Sequence, residues 1–317
     1  MLSSAAGLDR PVPGLIFRHD EPLSRHTRFG IGGPARSWVE CQNEDALRQA
    51  LGAGPAIVIG GGTNLVVSDD GVDGVVVRYT SARIEVSGTD VHAEAGADLQ
   101  ALVDATIAAG LKGLETMTGI PGSVGGAVYG NAGAYGHSIC ERIISVRFME
   151  DGQPRTFSNA ECEFHYRESS FKRNKQRTIL SSELRLDPGD SQQLRAAADR
   201  IRAIRDAKYP PTMKCAGSIF KNLILADLDP NVARRVPETV IREGKVPSAW
   251  FLEQVGAKGI SDGDIRVADY HANLIYNAGQ GTAAQVRAII TELKRRVELE
   301  FGLTLEEEVQ YLGFPDE

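Results

Sequence analysis

Residues 119–136 read GIPGSVGGAVYGNAGAYG, and seven of these eighteen positions are glycine: Gly119, Gly122, Gly125, Gly126, Gly130, Gly133 and Gly136. Each glycine in regular structure costs roughly 0.5–1 kcal/mol relative to alanine. A mobile linker is the bland explanation, and composition argues against it. The stretch also holds Ile120, Pro121, Val124, Val128 and two tyrosines, residue types in which disordered segments are poor. The sharper reading is a backbone that approaches a ligand where a Cβ would clash.

Two familiar nucleotide loops fail on this stretch. A P-loop needs Lys-Ser or Lys-Thr after its last glycine, and a dinucleotide fingerprint needs G-x-G-x-x-G directly after a strand. A second cluster, GGGTN (60–64), follows the strand-like AIVIG. Strand followed by glycines, with Thr63 and Asn64 as donors, suits a phosphate nest of backbone N–H groups. Two such loops point to a long ligand with a pyrophosphate at its middle, a shape that a flavin dinucleotide has. Spacing alone leaves tight turns at sheet corners as an equal rival.

The remaining chain sets bounds. A length of 317 residues implies two domains or three small ones, and 42% hydrophobic with 24% charged residues is ordinary for a globular protein with real cores. The net charge of −7 argues against a nucleic-acid binder, which would carry a basic surplus. Cys41, Cys140, Cys162 and Cys215 form no CxxC pair, so free thiols in a reducing cytoplasm are expected. The N-terminus shows two prolines and early charges in place of an apolar h-region, and there is no run of 18 apolar residues. The expectation is a cytoplasmic protein, neither exported nor membrane-spanning.

Asn43 is a candidate cap for a helix through Leu51, Asp98 for LQALVDATIAAG, and Thr282 for TAAQVRAIITELKRRVELEFG. AIVIG reads as a buried strand. LVVS, GVVVRY, RIEVSG, DVHAEAG, ISVRFME and TILSSELRL read as further strands. A helix over about 191–208 ends at Tyr209-Pro210-Pro211, the best domain boundary in the chain. Beyond it, SAWFLEQVG reads as a short helix, HANLIYN as a strand and TLEEEVQYLG as a closing strand. The fold class is α+β with mixed sheets.

Seven blocks now carry a resemblance: IGGGTNLVVSDDGVDGVVV, GIPGSVGGAVYGNAGAYG, HYRESSFK (165–172), CAGSIFKN (215–222), FLEQVGAKG (251–259), HANLIYNAG (271–279) and LEEEVQYLG (305–313). In order and spacing, over roughly residues 20 to 313, the chain resembles the UDP-N-acetylenolpyruvoylglucosamine reductase (MurB) family. The resemblance implies a vanillyl-alcohol-oxidase-type FAD-binding region of two subdomains, 1–80 and 81–209. An α+β substrate-binding domain over 210–303 and a strand over 304–317 returning to the active site would follow. The activity implied is NADPH-dependent reduction of UDP-N-acetylglucosamine enolpyruvate to UDP-N-acetylmuramate, a cell-wall precursor. Non-covalent FAD would rest on Gly60, Gly61, Gly62, Thr63, Asn64 and Leu65, and on Pro121, Gly122, Ser123, Gly125, Gly126, Gly133, Tyr135 and Gly136. No metal is expected, and monomer and dimer both stay open.

Such a reduction delivers hydride to C3, stabilises charge on C2 and the carboxylate, and returns a proton to C2. Arg167 in HYRESSFK matches the family's enolate-stabilising arginine. A guanidinium stays charged and can grip a carboxylate through two bonds. Taken alone it would read as a surface ion-pair arginine; the flanking Tyr166, Ser170 and Phe171 favour the site. Ser218 in AGSIFKN matches the proton donor, against a plain turn serine after Gly217. Serine is a weak acid, so its role is geometric and needs a nearby cation or water. Glu308, the last glutamate of LEEEV, matches the catalytic carboxylate, while Glu306 and Glu307 read as an exposed acidic edge. Tyr166, Lys208, Lys221, Asn222 and Gln254 are the candidate substrate contacts. His26 and His271 read as structural.

The chain departs from the family pattern in several places. HTRFGIGG carries Arg28 and Gly30 at atypical positions, Leu223 replaces the proline after FKN, and Gly130 replaces a larger residue. Residues 223–247 look like an insertion. Arg167 and Ser218 are 51 positions apart, which marks the short subtype without an extra tyrosine-bearing loop. None of this touches Arg167, Ser218 or Glu308. The rivals are another FAD-dependent oxidoreductase of the same superfamily, which would not require those three residues, and a non-catalytic nucleotide-sugar binder, which would not require both glycine loops.

Overall fold

Asn43 and Asp98 cap helices as expected in the computed structural model, which describes residues 12–315. The Asn43 side chain accepts from the Ala46 N–H at the head of α1 (Glu44–Gly52), and Asp98 accepts from Ala101 at α2 (Leu99–Ala108). Each carboxyl or amide oxygen meets a donor that the first helical turn leaves unpaired. Three more helices follow: α3 (Val124–Tyr129), α4 (Ser170–Arg173) and α5 (Ser191–Lys208). The last ends where Pro210 and Pro211 forbid further helix.

The chain forms two compact units. The first comprises residues up to Glu21, Ala35–Gly62 and Asp73–Ala207; the second comprises Pro22–Pro34, Thr63–Val72 and Lys208 onward. The N-terminal unit contains a four-stranded sheet ordered Leu15–Pro22, Pro34–Cys41, Val72–Tyr79 and Ala56–Ile59. Its other large sheet is antiparallel and ordered Gln153–Ser158, Ile143–Glu150, Thr178–Arg185, Asp90–Glu94 and Ile84–Ser87. Between these elements lies a core that includes Leu47, Val77, Leu102, Ile107, Val128, Phe148, Phe171 and Leu180. Ala56–Ile59 is less buried than AIVIG suggests: it is the sheet's edge strand, and Ile57 stays 40% exposed. The sequence reading overlooked Gln153–Ser158, a polar strand. Its signal was Asp151-Gly152, both at positive φ, the turn that favours a two-residue hairpin.

The C-terminal unit has α6 (Pro230–Ala233), α7 (Ser248–Gln254) and α8 (Ala283–Phe301). An antiparallel sheet runs Lys214–Ser218, His271–Asn277, Ile265–Ala268, Ser261–Asp262. Thr282 and Gln285 form a reciprocal capping box at the start of α8, and Gly302 closes it in the left-handed conformation. The apolar stripe of α8, Val286, Ile290, Leu293 and Val297, packs with Phe251, Leu252 and Ile275. Residues 223–247 are built into the same core through Leu228, Val232, Val236 and Val246.

Segments 22–34 and 63–72 sit in the C-terminal unit, a different partition from one at residues 80 and 209. The cause is pairing: Leu65–Val67 lies parallel to Gln310–Leu312, and the Gly33 N–H donates to the Ser68 carbonyl. The expected strand over 304–313 shrinks to Gln310–Leu312. Cys41, Cys140, Cys162 and Cys215 are all free thiols, and burial pushes those of Cys41 and Cys162 up to about 12. The stretch 1–11, on which the expectation about a leader partly rests, lies outside the described residues.

Thr282→Ala should remove the cap of α8 and lower stability by about 1 kcal/mol, with Thr282→Ser nearly neutral. Equilibrium urea unfolding of the three proteins measures this.

Candidate active site

In the N-terminal unit, both glycine loops come together. A Cβ on Gly61 would lie 3.0 Å from the Gly122 Cα; one on Gly60 would lie 2.9 Å from Ser123 Oγ and 3.8 Å from the Gly126 backbone. Hydrogen bonds hold the second loop against the head of α2. The Leu99 N–H donates to Gly122 O at 2.9 Å, Val124 to Ala97 O at 2.8 Å, and Gly119 to Gln100 Oε1 at 2.7 Å. Ser123 caps α3.

The glycines separate into two groups by what a side chain would meet. Gly125 and Gly133 are required by the fold: a Cβ would fall 2.8 Å from Ala95 Cβ and 2.4 Å from His137 O, respectively. Tyr135 and Gly136, both at positive φ, form the two-residue turn between Gly133–Ala134 and His137–Ser138. Their place in the sequence thus has a structural reason. Gly126 differs. It lies in α3, is exposed, and a Cβ there would meet only Ser123 Oγ at 3.4 Å. The fold has room for a side chain that the sequence withholds. Gly60, Gly61 and Gly122 serve the close approach of the loops or a positive φ, whereas Gly126 leaves exposed bare backbone beside them, which fits a flat dinucleotide such as FAD.

Thr63, Asn64 and Leu65 belong to the C-terminal unit. The Asn64 amide donates to Glu308 O at 2.9 Å, and its carbonyl accepts from the Gln310 N–H at 2.9 Å. Leu65 pairs with Gln310. Asn64 and Leu65 are thus bonded to the C-terminal segment.

Arg167, in the N-terminal unit, sits in a tight turn closed by reciprocal bonds between His165 and Glu168. Its φ is +58°, a strained value for a residue with a Cβ. Asn131 donates to His165 O at 2.8 Å, Ser169 Oγ to Tyr129 O at 2.7 Å, and Lys172 Nζ to Arg167 O at 3.0 Å while pairing with Glu168. The guanidinium donates to Gly133 O at 3.2 Å and lies 5.3 Å from the Tyr166 ring centroid. Asn131, Ser169 and Lys172 hold the turn, and sequence reading did not single them out. Asn131 itself has positive φ, which asparagine tolerates.

In the C-terminal unit, Ser218 ends the strand Lys214–Ser218 just after a bulge against His271–Asn277. Gly217 has φ +77° with open space around it, so its conformation, not crowding, requires glycine. Ser218 Oγ is 3.0 Å from Tyr209 Oη. The next residues are anchored by a buried network. Phe220 N–H donates to Asn273 Oδ1, whose amide returns bonds to Phe220 O and Ser248 Oγ. Against this segment run residues 306–308: Glu308 N–H donates to Ile219 O at 2.7 Å and Lys221 N–H to Glu306 O at 2.9 Å. Ser218 and Glu308 are thereby brought beside one another along the backbone.

The other expected contacts are distributed as follows. Lys221 Nζ pairs with Glu306. Asn222 Oδ1 accepts from the Ser248 N–H at 3.4 Å. Gln254, the last residue of α7, is exposed. Lys208 Nζ lies 5.1 Å from the Tyr209 ring centroid. Among the described residues no group of three or more His, Cys, Asp or Glu converges as a metal site. No helix there is long and apolar enough to cross a membrane.

Residues 209–312 match the family model for the C-terminal domain of UDP-N-acetylenolpyruvoylglucosamine reductase, and residues 38–156 match an FAD binding domain. A UDP-N-acetylenolpyruvoylglucosamine reductase of Solibacter usitatus (strain Ellin6076) is 56% identical over 307 residues, covering 95% of this chain and 98% of its own. The chain belongs to the UDP-N-acetylenolpyruvoylglucosamine reductase family. The Chloroherpeton thalassium (strain ATCC 35110 / GB-78) relative of the same name is 34% identical over 95% of this chain and 96% of its own length. The crystal structure of the MurB reductase from Thermus caldophilus superposes with a TM-score of 0.75 at 28% identity, covering 94% of this chain and 98% of that one. The chain is thus an FAD-binding oxidoreductase of the MurB family with the expected α+β fold.

His271 adds a feature that family membership does not supply. Burial, then the charges of Lys208 and Lys258, push its imidazole down to about 4 from 6.5, and its Nε2 is buried with no hydrogen-bond partner among the described residues. The folded state resists protonation here, so the contribution to stability is complete above pH 6.5 and is lost as pH falls toward 4. The protein should lose stability from this group by about 1–2 kcal/mol between pH 7 and 5. Urea midpoints of the protein and His271→Gln at both pH values should show a shallower loss in the variant.

Proposed function

We propose that this chain reduces UDP-N-acetylglucosamine enolpyruvate to UDP-N-acetylmuramate, with NADPH as the hydride source and non-covalently bound FAD as carrier. FAD, when bound, supplies the redox chemistry that takes a hydride from NADPH and hands it to C3 of the enolpyruvyl group. Gly60, Gly61, Gly122, Ser123 and Gly126 are the residues proposed to hold it. The division proposed is FAD on residues up to 209, and substrate on 210–303 with 304–317.

The observation that carries this reading is the backbone pairing of 306–308 with 219–221, which keeps Glu308 beside the Ser218 segment. Rigid backbone on both segments suits a proton transfer that needs fixed positions. Ser218 donates the proton to C2. Glu308 acts with it on the enol intermediate. Arg167 stabilises the negative charge on the substrate carboxylate; its left-handed turn, clamped by Asn131, Ser169 and Lys172, supports a role that needs a fixed guanidinium. Lys208, exposed at the end of α5, is proposed as a substrate contact. Tyr166 is also proposed as a substrate contact. Lys221, Asn222 and Gln254 are weaker candidates, because the first two are engaged by Glu306 and Ser248.

Two experiments test this. In anaerobic stopped-flow, Ser218→Ala should keep normal flavin bleaching by NADPH and lose about 10²–10⁴-fold in the return of colour on adding the enolpyruvate. Normal return would remove Ser218 as the acid. Gly126→Leu should leave the apoprotein as stable or slightly more stable, since leucine favours helix over glycine by up to about 1 kcal/mol. FAD affinity, measured by fluorescence quenching, should fall at least about tenfold; unchanged affinity would count against the bare-backbone surface.

A further inference from the structure

Serine poses a chemical difficulty as the acid at C2. An aliphatic hydroxyl is a far weaker acid than a phenol, which ionises near about 10. Once its proton has gone to carbon, the alkoxide left behind needs a proton or a strong donor at once. The C-terminal unit supplies one. Tyr209 Oη lies 3.0 Å from Ser218 Oγ. A serine hydroxyl has one proton to give. If Ser218 donated it to Tyr209, none would face the substrate. The arrangement that leaves the serine proton free for carbon is the one in which Tyr209 donates to Ser218.

The tyrosine is itself held in place. Tyr270 Oη donates to the Lys208 carbonyl at 3.0 Å, fixing the chain just before Tyr209. The His271 ring meets the Tyr209 ring edge-on, with centroids 6.2 Å apart and an interplanar angle of 76°. Lys208 Nζ lies 5.1 Å from the Tyr209 ring centroid, so a cation adjoins the group that would carry negative charge.

We propose that Tyr209 is a positioning residue for the reductase reaction, donating a hydrogen bond to Ser218 and relaying a proton to it as Ser218 protonates C2. This rests on the reading of Ser218 as the acid. The balance is as follows. The Ser218 O–H bond breaks and the C2–H bond forms. The Tyr209 O–H bond breaks and the Ser218 O–H bond re-forms. The phenolate, held near the Lys208 cation, takes a proton from water. None of these steps is an oxidation or reduction; the hydride has already been delivered to C3.

Tyr209→Phe in the FAD-loaded protein is the test, because it keeps the ring, its contact with His271 and the Lys208 cation over its face. Flavin bleaching by NADPH should be unchanged. The dissociation constant for the enolpyruvate, read from the flavin spectral shift under anaerobic conditions, should stay within about twofold. Reoxidation at saturating enolpyruvate should slow about 10–100-fold, the range expected for losing a hydrogen bond to a group that becomes charged. Reoxidation as fast as in the unaltered protein would overturn the relay. So would a variant that binds the enolpyruvate weakly yet reacts at full rate when saturated, since Tyr209 would then be a binding residue. If the unaltered protein is not reoxidised by the enolpyruvate at all, the reading of the reaction fails first, and the relay with it. That result is separable from a failure of the relay alone.

Discussion

The candidate catalytic region of the C-terminal unit depends on one short piece of backbone pairing. Residues 306–308 donate to and accept from residues 219–221. On their other flank the Asn64 amide takes the Glu308 carbonyl, and Gln310–Leu312 joins Leu65–Val67 in parallel. The chain end is therefore held from two sides by peptide groups, which depend little on side-chain identity. Glu308 gains a fixed position from its own N–H and C=O. Asn273 does the same for the facing strand, since a buried amide can satisfy Phe220 on both its donor and its acceptor. An unmet peptide group at that depth would cost about 1–3 kcal/mol, so the segment after Ser218 has little freedom to shift.

Glycine is used in this chain for separate purposes that look alike in a sequence. Gly217 and Gly136 supply backbone conformations; Gly125 and Gly133 make room for neighbouring peptide and side-chain atoms of the protein itself. Gly126 has neither reason and lies next to Gly60, Gly61 and Gly122 across the loop contact. A glycine that the fold does not require, on an exposed face, is better evidence for a ligand than a count of glycines. Only coordinates can make that separation, because φ and neighbour distances are absent from spacing.

Much of the fold was legible in the sequence. Asn43, Asp98 and Thr282 announced their helices through local chemistry that needs no tertiary information. The Pro210-Pro211 stop was equally local. What escaped was non-local. AIVIG looked buried because it is apolar, yet as an edge strand it leaves Ile57 exposed. Residues 223–247 read as an insertion of unassigned role, and Leu228, Val232, Val236 and Val246 enter the core. The bond from the Asn64 side chain to the Glu308 carbonyl spans 244 positions and has no local signal. The site followed the same rule. The blocks that carry Arg167, Ser218 and Glu308 could be picked out by resemblance. The residues that hold them, Asn131, Ser169, Lys172, Tyr209 and Asn273, act through contacts that no local pattern announces.

The contrast between Arg167 and Ser218 shows two ways of fixing a group. Arg167 stays charged whatever its surroundings, so its placement needs only geometry, and the chain supplies that with a left-handed turn tied down by three side chains. Strain of this kind persists only where surrounding bonds over-determine it. Ser218 is geometrically simple, at a bulge after Gly217, but chemically demanding, because a hydroxyl does not part with a proton unaided. Its surroundings are correspondingly chemical: a phenol at hydrogen-bond distance, a cation over that phenol, and an imidazole kept neutral by burial. A protonated His271 beside Lys208 would add a second positive charge to a crowded corner. Keeping it neutral leaves the lysine as the cation closest to the tyrosine ring among these groups.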